Sequence, residues 1–209
     1  MMQKDRLAVL IGKNGITKKK IQYLTNTIIE VDSKTGDYMV RVQDSPAESD
    51  PELDKLPEQL NIPETVLHLF KESPNFGLWI AKSIIEAINI GFKPEKAFQL
   101  LNQEYIFETI SLEDAAGNTQ KIIKRIKGRI IGENGSMRQS IEKYSTAFIS
   151  VYGNHIGFIA DFDSLKIAQK AIDMLIEGLP HKTVLTFLQK RYQERKEKEF
   201  HETWKPTFN

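Results

Sequence analysis

Two four-residue runs, Gly12-Lys13-Asn14-Gly15 and Gly132-Glu133-Asn134-Gly135, carry the residue types best suited to holding a polyanion. Glycine at both ends removes side chains where a phosphate backbone must come close, and Asn tolerates the left-handed backbone of a tight turn. Each run precedes a helix-like stretch, so unsatisfied backbone N–H groups at the helix start would face an anion. Ser136 follows the second run, and Lys13, Lys18, Lys127, Arg129 and Arg138 flank the two loops with charge that phosphates attract. Gly12, Lys13, Asn14, Gly15, Lys18, Lys127, Arg129, Gly132, Glu133, Asn134, Gly135, Ser136 and Arg138 are therefore the candidate nucleic-acid-binding residues. A single G-x-x-G is better read as a plain helix-to-helix turn. Its recurrence in the same context, with basic flanks both times, favours nucleic acid.

Other chemistries find little support. The absence of cysteine removes disulfides and thiolate-ligated metals and fits a reducing setting. His68, His155, His181 and His201 are scattered without the close spacing of a zinc site, so neither a metal nor a cofactor is expected. The G-x-x-x-x-G-K-[S/T] phosphate loop and the G-x-S-x-G nucleophile turn are missing, and no catalytic constellation can be assembled. Asp161 and Asp163 could pair on a cation, but Asp163-Ser164 directly precedes a helical stretch and reads as its N-cap. An enzyme is not expected.

The loops must be positioned by something, and a repeat supplies it. Aligned at an offset of 120, Leu10 to Val31 matches the later copy at seven of 22 positions: Ile11, Gly12, Asn14, Gly15, Ile21, Ile29 and Val31. Helix periodicity covers Ile16 to Leu24 and Ser136 to Tyr144, and β-branched runs cover Ile28 to Val31 and Phe148 to Val151. Turn signals at Ser33 to Asp37 and Gly153-Asn154 predict hairpins to the strands Tyr38 to Gln43 and His155 to Ala160. A helix follows, matching at an offset of 87 from Leu78 to Gly91 and from Leu165 to Gly178, with Leu165, Ala168, Ile172, Leu175 and Ile176 as its apolar stripe. The shift in offset places about 30 extra residues, roughly 45–76, in the first copy. They include an acidic, proline-bearing segment and a short helix from Pro63 to Lys71 with Pro in its first turn. Further helices begin at Pro94 and His181. Tyr105 to Leu112 reads as an opening strand that the first copy nearly lacks.

At 209 residues with 40% hydrophobic content, the chain is an ordinary folded protein of one large or two small domains, and the repeat favours two. The formal net charge of +1 hides strong sorting. Lys4 to Lys20 holds six basic residues against Asp5, Lys121 to Arg138 holds six against Glu133, and Asp44 to Glu64 holds seven acids against Lys55. Leu7 to Ile11 is too short for a signal-peptide core and no stretch approaches a membrane span, so a cytoplasmic protein without membrane contact is expected. Lys190 to Lys205 mixes both signs and reads as a solvated helix. Trp204 and Phe208, at the very end, are candidates for docking on a partner.

The order strand, helix, G-x-x-G, helix, strand, strand, helix is that of a type I KH domain. The expected fold class is α+β: two tandem type I KH domains, each a three-stranded antiparallel sheet with helices packed on one face. The domains are 1–101, with a short or missing first strand and an acidic insertion at about 45–76, and 102–195 with its trailing helix; a C-terminal tail covers 196–209. Bases would lie across an apolar groove between the helix before the loop and the Phe148 to Val151 strand with its hairpin.

The run Arg125-Ile126-Lys127-Gly128-Arg129-Ile130-Ile131-Gly132-Glu133-Asn134-Gly135, with Ile149-Ser150-Val151-Tyr152-Gly153 and Glu177-Gly178-Leu179-Pro180-His181-Lys182-Thr183-Val184, closely resembles the archaeal two-KH small-subunit ribosome assembly factors. These are relatives of the eukaryotic Partner-of-Nob-One and Krr-type KH proteins, and the resemblance runs from Lys4 to about Arg195. It implies a non-enzymatic RNA-binding protein of ribosome biogenesis and rRNA processing. It also implies partners: the single-stranded 3′ region of small-subunit rRNA, pre-small-subunit particles and a Nob-type endonuclease, with the chain itself a monomer. In that family the second KH unit is the main RNA reader, while the first serves protein contact or weaker binding. Glu133 departs from the basic residue common at its position. Two other readings stay open: a KH scaffold for protein partners, and a general mRNA or single-stranded DNA binder.

Overall fold

The computed structural model describes residues 2–43, 50, 51, 53–117 and 119–203, and the chain divides into two compact units, Met1–Glu108 and Thr109–Asn209. In the first unit α1 (Lys4–Ile11) and α2 (Ile16–Thr25) lead into β1 (Thr27–Val31) and β2 (Tyr38–Val42). Then follow α3 (Leu56–Gln59), α4 (Glu64–Glu72), α5 (Pro74–Asn89) and α6 (Pro94–Ala97), the last continued by a 3-10 turn at Phe98–Leu101. The chain goes on through β3 (Ile106–Ser111), α7 (Leu112–Ala116), α8 (Gln120–Ile131), α9 (Ser136–Ser145), β4 (Phe148–Tyr152), β5 (His155–Ala160), α10 (Phe162–Ile176) and α11 (His181–Thr203).

The cores follow from apolar spacing. Leu7 and Leu10 of α1, Ile21 and Leu24 of α2, Ile29 of β1, and Ile80, Ile84 and Ile88 of α5 are all buried. In the second unit Ile123, Ile126 and Ile130 of α8, Ile141 of α9, Phe158 of β5 and Leu165, Ala168, Ile172 and Leu175 of α10 are buried likewise. Burying each large apolar side chain contributes about 1.5–3 kcal/mol, which fixes the helix faces and, through them, the loops between helices. Ile176, expected in the α10 stripe, is only half-buried.

β1 and β2 pair antiparallel from Thr27 opposite Val42 to Val31 opposite Tyr38, and β4 and β5 from Phe148 opposite Ile159 to Tyr152 opposite His155. The second sheet has three strands in the order β3-β5-β4, whereas the first has two among the described residues. Among the described residues a three-stranded sheet is therefore present in one unit and not in both. The Met2 N–H donates to the Gly36 carbonyl at 3.0 Å, as the Leu112 N–H donates to that of Asn154 at 2.8 Å. Both Met2 and Leu112 are buried.

Residues 45–49 and 52 of the expected acidic insertion, and residue 44 before it, lie outside the described residues. The rest packs on the helices: α4 lies against α5 and α2. The Tyr23 hydroxyl donates to the Asp54 carboxylate, and that bond, helped by partial burial, pushes the phenol up to about 12. In the second unit the corresponding helices α9 and α10 are covered instead by α11. Val184 and Leu188 bury its first half, the rings of Tyr144 and Tyr192 meet edge-on at 5.8 Å, and Arg195 donates to the Ser145 carbonyl and the Thr146 and Ser164 hydroxyls. The helix expected to be solvated is thus anchored along one face. Trp204 and Phe208 lie outside the described residues.

Some element starts differ from the expectation. α10 is capped by Asp161, not by Asp163-Ser164: the Asp161 carboxylate accepts the Ser164 N–H at 2.9 Å and the Ser164 hydroxyl at 2.6 Å. α5 begins at Pro74, a turn before Leu78, because proline at the first helical position loses no hydrogen bond. Pro63 stands just before α4 rather than within it.

Candidate nucleic-acid interface

Both loops are built the same way. Gly132 ends α8, its N–H bonded to the Gly128 carbonyl at 2.8 Å, with φ 72° and ψ 178°. Asn134 (φ 51°, ψ 26°) and Gly135 (φ 79°, ψ 10°) then turn the chain into α9. In the first unit Gly12 (φ 72°, ψ 176°), Asn14 (φ 54°, ψ 26°) and Gly15 (φ 76°, ψ 9°) repeat the path. Sequence identity at Gly, Asn and Gly is thus matched by backbone identity, because those residue types enter the left-handed region at low cost.

The two glycines of each loop have different reasons to be glycine. A Cβ on Gly132 would sit 2.8 Å from Met137 Cβ and N, and one on Gly12 would sit 2.2 Å from Thr17 Oγ1. A Cβ on Gly15 would meet nothing within 4 Å, and one on Gly135 only Gln139 Nε2 at 3.6 Å. The first glycine lets the following helix pack against the loop. The second leaves open space in front of the helix N-terminus, where a ligand backbone can approach N–H groups that have no carbonyl one turn back. Lys13, Asn14, Glu133, Asn134 and Ser136 are exposed beside that space.

The cations differ between the units. Arg129 turns inward: its Nε donates to the Leu175 carbonyl at 3.2 Å and its Nη2 to that of Leu179, so it clasps the C-terminal end of α10. Arg6 makes the same clasp in the first unit, on Ile88 at 2.7 Å and Phe92 at 2.6 Å. Those four carbonyls correspond at the offset of 87, although Arg6 reaches them from one helical turn further from its loop. Lys127 donates from α8 to the Gly153 carbonyl in the hairpin at 2.6 Å, tying together the two walls expected to flank the groove. Arg138 pairs with Glu142 at 2.8 Å and also approaches the Ile149 carbonyl at 3.4 Å. All three basic side chains singled out around the second loop are therefore engaged within the protein. Lys13 and Lys18, by contrast, have no hydrogen bond or ion pair among the described residues.

One pair of side chains beside the loops escaped the motif. Glu142 Oε1 accepts the Ile149 N–H at 2.9 Å, and Gln22 Oε1 accepts the Ile29 N–H at 3.0 Å. Each clip joins the helix after the loop to the outer edge of the following strand. Backbone groups two residues apart point to the same side of a strand, so Val31 and Val151 present the next N–H and C=O along those edges. The matched positions of Gln22 with Glu142 and of the two isoleucines were the available signal. Among the described residues no cluster of three or more His, Asp or Glu could hold a metal, and no helix is long and apolar enough to cross a membrane.

A family model described as the eukaryotic-type KH domain (KH domain type I) of PNO1, second copy, matches residues 106–193, from β3 into α11. A KH domain-containing protein of Methanocaldococcus jannaschii is 34% identical over 202 residues, covering 97% of this chain and 76% of that protein. The chain belongs to the PNO1-related family of archaeal KH proteins. Within this KH family, the crystal structure of Dim2p from Pyrococcus horikoshii OT3 is 36% identical, with a TM-score of 0.71 over 90% of this chain and 95% of that one. The a/eIF2alpha–aDim2p–rRNA complex from the same organism matches at 37% identity and a TM-score of 0.73, covering 92% of each chain. The pre-rRNA-processing protein PNO1 of Coccidioides immitis is 28% identical over 130 residues; the match takes in 60% of this chain and 51% of that longer relative.

Proposed function

We propose that this chain binds single-stranded small-subunit rRNA near its 3′ end and acts in rRNA processing during ribosome biogenesis, as a non-enzymatic protein of two tandem type I KH domains. The observation that carries this is the Gly132–Gly135 loop. Its open second glycine, left-handed Asn134 and the start of α9 form an anion-receiving turn inside the stretch matched by the KH model. The names of its relatives, a pre-rRNA-processing protein and a Dim2p solved with rRNA, support the same reading. In it, the loop amides and Ser136 hold the backbone of about four nucleotides, and the edge of β4 faces the bases. Glu133 adds a carboxylate near the phosphate path, a modest cost for an exposed group screened by salt. Arg129 drops out of the phosphate contacts and serves to hold α10, and Lys127 spans the groove.

Domains at 1–101 and 102–195 with a tail at 196–209, a monomeric state, a cytoplasmic setting, pre-small-subunit particles as the larger target and a Nob-type endonuclease as neighbour complete the proposal. The test replaces Glu133 and Asn134 together with Asp, confirms folding by thermal melting, and titrates a fluorescent RNA matching the 3′ end of small-subunit rRNA. At least a tenfold loss is expected, and unchanged affinity removes this loop from the role. A scaffold role for the first unit is the second reading. Trp79, 56% exposed next to Phe76 on α5, favours it, and its replacement by Ala would then release a protein partner without changing RNA affinity.

A further inference from the structure

The two loops share one backbone and differ in what surrounds it, and the difference centres on a single equivalent position. Seven residues after the second glycine stands Gln22 in one unit and Glu142 in the other. Both side chains accept the N–H of the strand isoleucine, at 3.0 and 2.9 Å. The amide and the carboxylate therefore do the same structural work. Only the carboxylate carries charge, and it draws in the cation one helical turn before it: Arg138 Nη1 lies 2.8 Å from Glu142 Oε2 and its side chain is 30% exposed. The cation at the matching place in the first unit, Lys18, has no ion pair or hydrogen bond among the described residues, and neither has Lys13, which replaces Glu133 within the loop.

We propose that this position sets how each clamp holds RNA. Gln22 leaves Lys18 available to phosphate, so the first loop is a salt-sensitive, sequence-tolerant contact for a single-stranded RNA backbone. Glu142 keeps Arg138 on the protein, so the second loop holds its RNA through backbone amides and the strand edge, with little cation–phosphate attraction. The inference rests on the reading of both loops as RNA clamps. It adds Gln22 and Glu142 as positioning residues that act through Lys18 and Arg138. Binding at the first loop also falls outside residues 106–193, the stretch matched by the family model.

Each cation–phosphate contact to a single strand adds about 0.7 to the steepness with which log affinity falls with log salt. That slope is a readout a purely structural role would not move. The full chain is used in two backgrounds: one with the second loop blocked by Glu133→Asp and Asn134→Asp, the other with the first loop blocked by Lys13→Asp and Asn14→Asp. A twelve-nucleotide oligouridine and an RNA matching the rRNA 3′ end are titrated across a series of potassium chloride concentrations. With the second loop blocked, Gln22→Glu is expected to weaken binding and flatten the slope by about 0.7, one contact's worth. With the first loop blocked, Glu142→Gln is expected to strengthen binding and steepen the slope by a similar amount. Both substitutions keep an acceptor for the strand N–H, and thermal melting checks that folding is retained. RNA binding that persists with neither slope moved overturns the inference alone. Failure of the unsubstituted chain to bind either RNA overturns the functional reading and this inference with it.

Discussion

The two units place the same turn in front of a helix and then diverge at almost every side chain around it. Their loop torsions differ by no more than 3°. Yet the first loop is flanked by Lys13 and Lys18 without partners among the described residues, and the second by Arg129, Arg138 and Lys127, each bonded within the protein. The junction of the helices beneath diverges too. In the first unit Gly77 packs so tightly on the Thr25 carbonyl that a Cβ would lie 2.3 Å from it, whereas in the second Ser164, Thr146 and Arg195 fill the equivalent place with hydrogen bonds. A duplicated module can thus keep its backbone chemistry while its charge is redistributed. Counting basic residues near a loop does not show which of them face a ligand.

The largest effect should separate the glycines. Gly132→Ala and Gly12→Ala combine a positive φ with direct overlap on Met137 or Thr17, and each should cost upwards of about 2 kcal/mol in denaturant unfolding. Gly135→Ala and Gly15→Ala meet no overlap and should cost only about 1 kcal/mol, while weakening RNA by blocking its approach. If all four behaved alike, the division between packing glycine and approach glycine would fail.

Next, Arg129→Ala and Arg6→Ala remove charged donors from paired helix-end carbonyls. Each should lower stability by roughly 1.5–3 kcal/mol and leave the salt dependence of RNA binding unchanged; a flatter slope for Arg129→Ala would return that residue to the phosphate path.

The smallest effect concerns pH. Partial burial tends to raise the Asp161 carboxyl, but the Ser164 hydroxyl and N–H and nearby Arg195 outweigh it and hold the group below the usual carboxylate value. A lowered folded value stabilises the protein above the ordinary carboxylate range, and that stabilisation is lost as pH falls through the folded value. Asp161→Ala should therefore reduce stability by about 1 kcal/mol at neutral pH, as loss of an N-cap does, with the gap to the unsubstituted chain closing in acid. A gap that is constant with pH would show that the charge of Asp161 contributes nothing.

Much of this was legible in the sequence because periodicity and turn chemistry are local. The loops, the helices after them and the two hairpins stand where Gly, Asn and the apolar spacing put them. What the sequence could not convey was where long side chains reach. Arg129 looks like a loop-flanking cation at three residues from Gly132, but helix geometry turns it towards α10, and only the fold reveals carbonyls waiting there. The anchoring of α11 was hidden because Val184, Leu188, Tyr192 and Arg195 form a sparse stripe among charges. The cap at Asp161 was missed by two residues because Asp161 and Asp163 are equally good capping types, and helix start is set by tertiary packing.

The central claim is that the backbone of the Gly132–Gly135 loop receives RNA. Amide chemical-shift mapping of the isotope-labelled chain, titrated with the rRNA 3′-end oligonucleotide, tests it most directly. The account predicts that the amides of Gly132 to Ser136 and of Val151 shift first and saturate together, with Gly12 to Gly15 following as a second, salt-sensitive set. Shifts confined to α10, α11 or the first-unit insertion, with both loops unmoved at saturation, would contradict it.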